Sequence, residues 1–157
     1  MDSNEVEYAG FWIRLGATLI DVILVMAITT PLLTWIYGGE YFDSEVANRI
    51  VAGPADFLIT WVAPFVAAVW FWRARQATPG KMALSLRIVD AGTGGTLSLR
   101  QSVIRYFAYL VSTLPLCLGF VWIAFDSRKQ GWHDKLAGSV VVRSKNRGTE
   151  PVRFPGA

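Results

Sequence analysis

The sequence predicts an α-helical integral membrane protein with two spanning helices, a third apolar helical segment that is broken or re-entrant, and a small cytoplasmic β-element. Three observations predict it. Of the 157 residues, 53% are apolar and only 17% are charged, a balance that suits a bilayer better than water. The apolar residues gather into three runs instead of periodic stripes. The segments that separate and flank these runs hold nearly all the Lys, Arg, Asp and Glu.

The same features exclude other classes. A net charge of +3 invites a nucleic-acid reading, but the basic residues flank apolar runs and form no solvated stripe with interleaved aromatics, so no nucleic-acid partner is expected. Cys117 is the single cysteine and His133 the single histidine, which leaves no internal disulfide, no metal cluster and no expected cofactor. The lead Met1–Gly10 carries Asp2, Glu5 and Glu7 without Lys or Arg, unlike a cleaved signal peptide, so the first run is expected to stay as an anchor.

The first predicted helix, residues 12–37, is long enough at about 1.5 Å per residue to cross about 30 Å of hydrocarbon with some tilt. Phe11 and Trp12 open the run and Trp35, Tyr37 and Tyr41 close it, placing amphipathic rings at both interfaces. A connection broken at Gly38-Gly39 and carrying Glu40, Asp43 and Glu45 follows. The second helix, residues 56–73, sits at the short end of the spanning range and exits through Trp70, Trp72 and Arg73.

Beyond it, the Pro79-Gly80 turn precedes alternating Leu84, Leu86, Ile88 and Asp90 and a Gly94-Gly95 turn, which predict a β-hairpin over residues 84–99. Residues 139–143, β-branched, predict a last strand paired with that hairpin. The third apolar run, residues 103–125, is interrupted by Pro115 and Gly119. Basic residues lie on both sides of it, with only Arg49 in the first connection, so a re-entrant form is favoured: it keeps both basic segments, and both termini, in the cytoplasm. Residues 144–157 read as a basic, disordered tail.

Three charged residues within the apolar runs are candidates for an intramembrane polar or ion site: Arg14, Asp21 and Arg105. Arg14 and Asp21 lie seven residues apart on one helical face, about 10 Å apart along the axis, and so do not touch. Two roles stay open for Asp21: a titrating or coordinating group, or a buried carboxylate locking helix packing with Arg105 as a partner. Gly16 and Ala17 leave room for another element to approach that face.

A second polar cluster, Asp126, Arg128, His133 and Asp134, follows the third run. With no nucleophile placed beside the histidine it suggests an interfacial turn meeting anionic lipid headgroups, and no enzyme activity is expected. The Thr78-Pro79-Gly80-Lys81 segment is no phosphate loop, because Arg75 and Met82 stand where a glycine and a hydroxyl residue are required; it is expected to be a turn feeding a strand.

In combination these residues resemble the RDD family of small bacterial membrane proteins over about residues 8–143. The resemblance rests on Arg14 with Asp21, Thr78-Pro79-Gly80-Lys81 followed by Leu86-Arg87-Ile88-Val89-Asp90, Leu97-Ser98-Leu99 leading to Arg105, and Phe125-Asp126 through His133-Asp134 to Val140-Val141-Val142. It implies that Arg14 and Asp21 are the arginine and first aspartate of the family's name. Asp126 or Asp134 supplies the second, Asp134 being preferred. It also implies a multi-pass protein of the bacterial cytoplasmic membrane, with transport of an unidentified ligand suggested and cation/proton exchange proposed for some members.

The expected function is therefore transport of a small ligand, or exchange of cations for protons at Asp21, by a homo-oligomer, since two spans and a re-entrant segment enclose no route alone. The rival is a non-transporting adaptor whose cytoplasmic basic face binds a protein partner or anionic lipid.

Overall fold

A computed structural model describes residues 6–42 and 50–144. The acidic connection at Asp43 and Glu45 and the basic tail beyond Ser144 lie outside the described residues. Helix α1, Phe11–Tyr37, and helix α2, Pro54–Ala74, are both long and apolar enough to cross a membrane. Both leave large apolar side chains on their outer surfaces, among them Leu19, Ile23, Met26 and Ile28 of α1 and Phe57, Leu58 and Val66 of α2. An apolar outer surface of this extent suits lipid. Residues Phe57–Val62 of α2 wind as a π-helix just after Asp56, a local widening of the helical turn.

The β-element predicted from sequence is a three-stranded sheet, and the structure alters its composition. Its strands are β1, Val6–Tyr8; β2, Leu86–Asp90; and β3, Ser139–Ser144, in the order β1-β3-β2. Both pairings are antiparallel, with Ile88 opposite Val141 and Tyr8 opposite Val142. Because side chains alternate along a strand, Leu86, Ile88 and Val141 join Ala17, Trp72 and Leu97 in one core, while Val6, Val89, Val140 and Val142 form a second. The sheet is thus covered on both faces, which is why Val140, Val141 and Val142 are all fully buried.

The hairpin over 84–99 does not form. Strand β2 ends at Asp90, whose carboxylate accepts the N–H groups of Gly92 and Thr93 and folds the chain into a turn. Ser98 and Gln101 then make a reciprocal capping box that starts a helix where the second hairpin strand was expected. The partners of β3 are therefore β2 and the N-terminal β1. The Thr78-Pro79-Gly80-Lys81 segment likewise forms a short helix, α3, Pro79–Ala83, before β2 begins.

The third apolar run starts earlier than residue 103 and is bent. Helix α4, Leu99–Thr113, and the short helical segment α5, Leu118–Ala124, meet at 109°. Pro115 stands at the bend, and Leu116 and Cys117 reverse the chain with φ of +52° and +62°. The two arms are packed by Tyr109 stacked on Phe120, ring centroids 5.7 Å apart. The bend brings the chain back to the sheet, where helix α6, Trp132–Ala137, precedes β3. Gly138, φ +62°, closes α6 in the left-handed region that favours glycine and aims β3 into the sheet.

Candidate functional site

Asp134, on α6, is fully buried and carries the centre of the charged site. Its two carboxylate oxygens each meet an arginine: Oδ2 lies 2.5 Å from Arg14 Nη1, and Oδ1 lies 2.5 Å from Arg105 Nη1. Oδ2 also accepts the Gly131 N–H at 2.9 Å. Arg14 completes its fork by donating to the carbonyls of Ala9 and Lys129, so α1 is tied to the strand before it and to the loop before α6. Arg105 donates to Ser139 Oγ and lies over the rings of Trp72 and Tyr109, at 5.5 and 5.9 Å from their centroids. One carboxylate thus joins two helices that are 91 residues apart in sequence at their arginines.

His133 sits against this triad, stacked beside Tyr109 and Phe120 with centroids 4.5 and 4.9 Å away. Ser112 Oγ accepts the His133 backbone N–H at 3.1 Å and lies 3.1 Å from Nδ1. Donor and acceptor in the Ser112–Nδ1 contact follow the imidazole tautomer, and the other ring nitrogen, Nε2, lies 3.6 Å from Asp134 Oδ1. Burial is the largest influence on the ring: Asp134 opposes it, Arg105, Arg14 and Lys81 reinforce it, and the net effect lowers the imidazole to about 3. Burial alone would raise the Asp134 carboxyl, but Arg105 and Arg14 outweigh it and hold it far below the usual carboxylate range. The site thus contains a neutral imidazole beside a permanent carboxylate.

A pH dependence follows. The unfolded chain takes a proton on His133 near the ordinary 6.5 and the folded chain only near about 3, so the unfolded state binds more protons between these values. Stability is full above pH 6.5 and falls as pH drops toward 3. In His133→Gln this limb flattens, while the loss below the carboxylate value of 3.8, expected from the lowered Asp134, Asp126 and Asp90, persists. Unfolding midpoints of both proteins from pH 8 to about pH 3 check this; parallel curves would show that His133 does not supply the slope.

The sequence candidates regroup. Arg14 and Arg105 do come together, but on Asp134, so the expectation that Arg105 partners Asp21 is corrected: the rise along α1 carries Asp21 away from the triad. Asp21 instead accepts Thr78 Oγ1 at 2.5 Å and the Gly80 N–H at 2.7 Å, with Lys81 Nζ at 3.8 Å. It fastens α3 to the α1 face that Gly16 and Ala17 leave open. The second cluster divides as well. His133 and Asp134 belong to the triad, whereas Asp126 binds Lys135 at 2.5 Å and accepts the N–H groups of Arg128 and Gln130. Arg128 reaches Tyr8 and the Ala91 carbonyl, and so braces the sheet.

Spacing alone did not single out Lys81, Tyr109 and Ser112 as members of the site. One signal was present: Ser102, Arg105 and Ser112 mark a polar stripe at helical intervals, and all three are buried in α4. Lys81, Arg14 and Arg105 line a cavity of about 240 Å³ whose apolar lining includes Leu15, Phe120 and Val121. A second cavity, of about 550 Å³ between α2 and α4, has Arg73 as its one charged lining residue and offers less chemistry. Among the described residues no cluster of His, Cys, Asp or Glu has the makings of a metal site.

With this geometry established, comparison with known proteins gives a consistent result. A family model described as the RDD family matches residues 8–138. The uncharacterized protein RP437 of Rickettsia prowazekii is 29% identical over 175 residues, covering 90% of this chain and 99% of the relative. The uncharacterized protein YxaI of Bacillus subtilis is 30% identical, covering 85% of this chain and 96% of the relative. The uncharacterized membrane protein YteJ of Bacillus subtilis is 28% identical, covering 88% and 82%. No solved structure matches the chain.

Proposed function

The chain belongs to the RDD family, and from that premise we propose that it is a multi-pass membrane protein whose task is to bind a small ligand in the cavity beside Arg14, Lys81 and Arg105, as the binding step of transport. In this reading α1 and α2 cross the bilayer and the bent α4–α5 pair re-enters it from the sheet side. The sheet lies in the cytoplasm, because Lys and Arg crowd the segments that adjoin it. The observation that carries the proposal is the convergence of three buried cations on one cavity that is otherwise apolar.

Exchange of cations for protons at Asp21 is the second reading, and the contacts of that residue weigh against it. A carboxylate already engaged by Thr78, Gly80 and Lys81 has little coordination left for a passing ion. An adaptor role for the basic face would need neither the cavity nor its cations. Transport calls for a homo-oligomer, since two spans and a bent pair form a thin wall around about 30 Å of hydrocarbon.

Val121→Trp tests the proposal by filling the cavity without touching a charge. Native mass spectrometry of the full-length protein, purified gently in detergent, is expected to show a retained small-molecule adduct in the wild type. That adduct should be lost in the variant, with the helical circular dichroism of both proteins alike. Identical spectra, with or without adducts, would leave the cavity without a binding role.

A further inference from the structure

Resting on the reading of the cavity as a ligand site, we propose that its ligand is an anionic amphiphile: a phosphate-type headgroup held by Lys81 and Arg105 beside Arg14, with an alkyl chain leaving between α1 and α5. Charge is the first argument. Arg14, Lys81 and Arg105 face the two carboxylates Asp134 and Asp21, which leaves one formal positive charge in a buried setting. An uncompensated buried charge is costly, and an anionic headgroup offsets it.

Unfilled hydrogen-bonding capacity is the second argument. Arg105 is 1% exposed and lines the cavity, yet its Nε has no hydrogen-bond partner among the described residues. The Lys81 side chain is 8% exposed, and among the described residues its ammonium has long contacts, 3.5 Å to Thr78 Oγ1 and 3.8 Å to Asp21 Oδ2. An ammonium has three protons to place, and a phosphate oxygen near the cavity floor would accept from it and from Arg105 at once.

The third argument is the route of entry. The cavity lining reaches the surface at Leu15 and Val121, which are 38% and 40% exposed on the apolar outer face of α1 and α5. At about 240 Å³ the space is smaller than the range of about 300–1,000 Å³ common for drug-sized ligands, so it suits a headgroup whose chain remains outside among apolar side chains. A free anion would have to cross that apolar rim, whereas an amphiphile approaching through the bilayer already lies along it.

The test measures thermal stabilisation of the full chain in dodecyl maltoside by four probes: dodecyl phosphate, inorganic phosphate, the zwitterion dodecylphosphocholine and the cation dodecyltrimethylammonium. Dodecyl phosphate alone is expected to raise the unfolding midpoint. Removing one charge-assisted contact with Lys81→Met should weaken its binding by about tenfold to a hundredfold. Lys81→Arg should retain binding, and this variant separates loss of charge from loss of packing if Lys81→Met folds poorly. Stabilisation by inorganic phosphate equal to that by dodecyl phosphate would overturn the lipid source in favour of a free anion. Stabilisation by the zwitterion or the cation, blocked by Val121→Trp, would overturn the anionic class while the cavity stays a ligand site. If no probe acts, or if Lys81→Met binds dodecyl phosphate as the wild type does, the inference fails; a retained adduct that Val121→Trp removes would still uphold the broader reading.

Discussion

Asp134→Ala is expected to lower stability by about 3–5 kcal/mol, since Arg14 and Arg105 would remain buried without their shared counter-charge. The loss exceeds that of an ordinary ion pair because neither guanidinium can turn outward: Arg14 is held by two backbone carbonyls and Arg105 is fully buried over the rings of Trp72 and Tyr109. Asp126→Ala is the matched comparison. It removes a carboxylate from a pair whose lysine is 45% exposed, and a loss of about 1 kcal/mol is expected from the ion pair and turn contacts together. Reversible unfolding of both variants in detergent decides the matter. Equal losses would mean that the buried triad contributes no more than a surface pair.

Gly80→Ala gives the second large effect. A Cβ at this position would lie 2.2 Å from the Ala17 carbonyl oxygen and 2.9 Å from Asp21 Cγ, so the backbone of α3 would have to move off α1. Overpacking of this kind costs about 1–3 kcal/mol, and the N–H donated by Gly80 to Asp21 would be stretched in the same movement. Gly10→Ala is the control, because a Cβ there meets nothing within 4 Å. The unfolding midpoint should drop clearly in the first variant and hardly move in the second. If the two behave alike, the close seat of α3 on α1 contributes little to stability.

How far this arrangement was legible varied with the range of the interaction. The apolar runs of α1 and α2 stood out because length and composition are local properties, and the interruption at Pro115 marked the place where α4 and α5 bend. Strand β3 was legible from its β-branched residues. The second arm of the expected hairpin was misread because Leu97-Ser98-Leu99 alternates like a strand, although Ser98 followed three residues later by Gln101 already carried the signature of a helix start. Strand β1 is only three residues long and owes its existence to β3, far along the chain, so no local pattern announced it.

The site shows the same division. Arg14, Arg105 and Asp134 were each conspicuous as charges in or beside apolar runs. Their convergence depends on how α1, α4 and α6 pack, which spacing within one helix does not encode. The pairing of Asp21 with the Thr78–Lys81 segment was out of reach for the same reason. Both segments attracted notice separately, and only the fold showed that one receives the other.

The strand order also bears on how the molecule is built. β1 and β2 are not paired, because the middle place between them belongs to β3, the last element in chain order among the described residues. While the chain is being synthesised, β1 must wait unpaired through all the apolar helices and β2 through α4 and α5. The part-buried ion pair of Glu7 with Arg143 likewise waits for β3. The sheet therefore works as a clasp that closes once, after the helices are in place. A chain broken off before β3 would expose two orphan strand edges, a form open to recognition and removal.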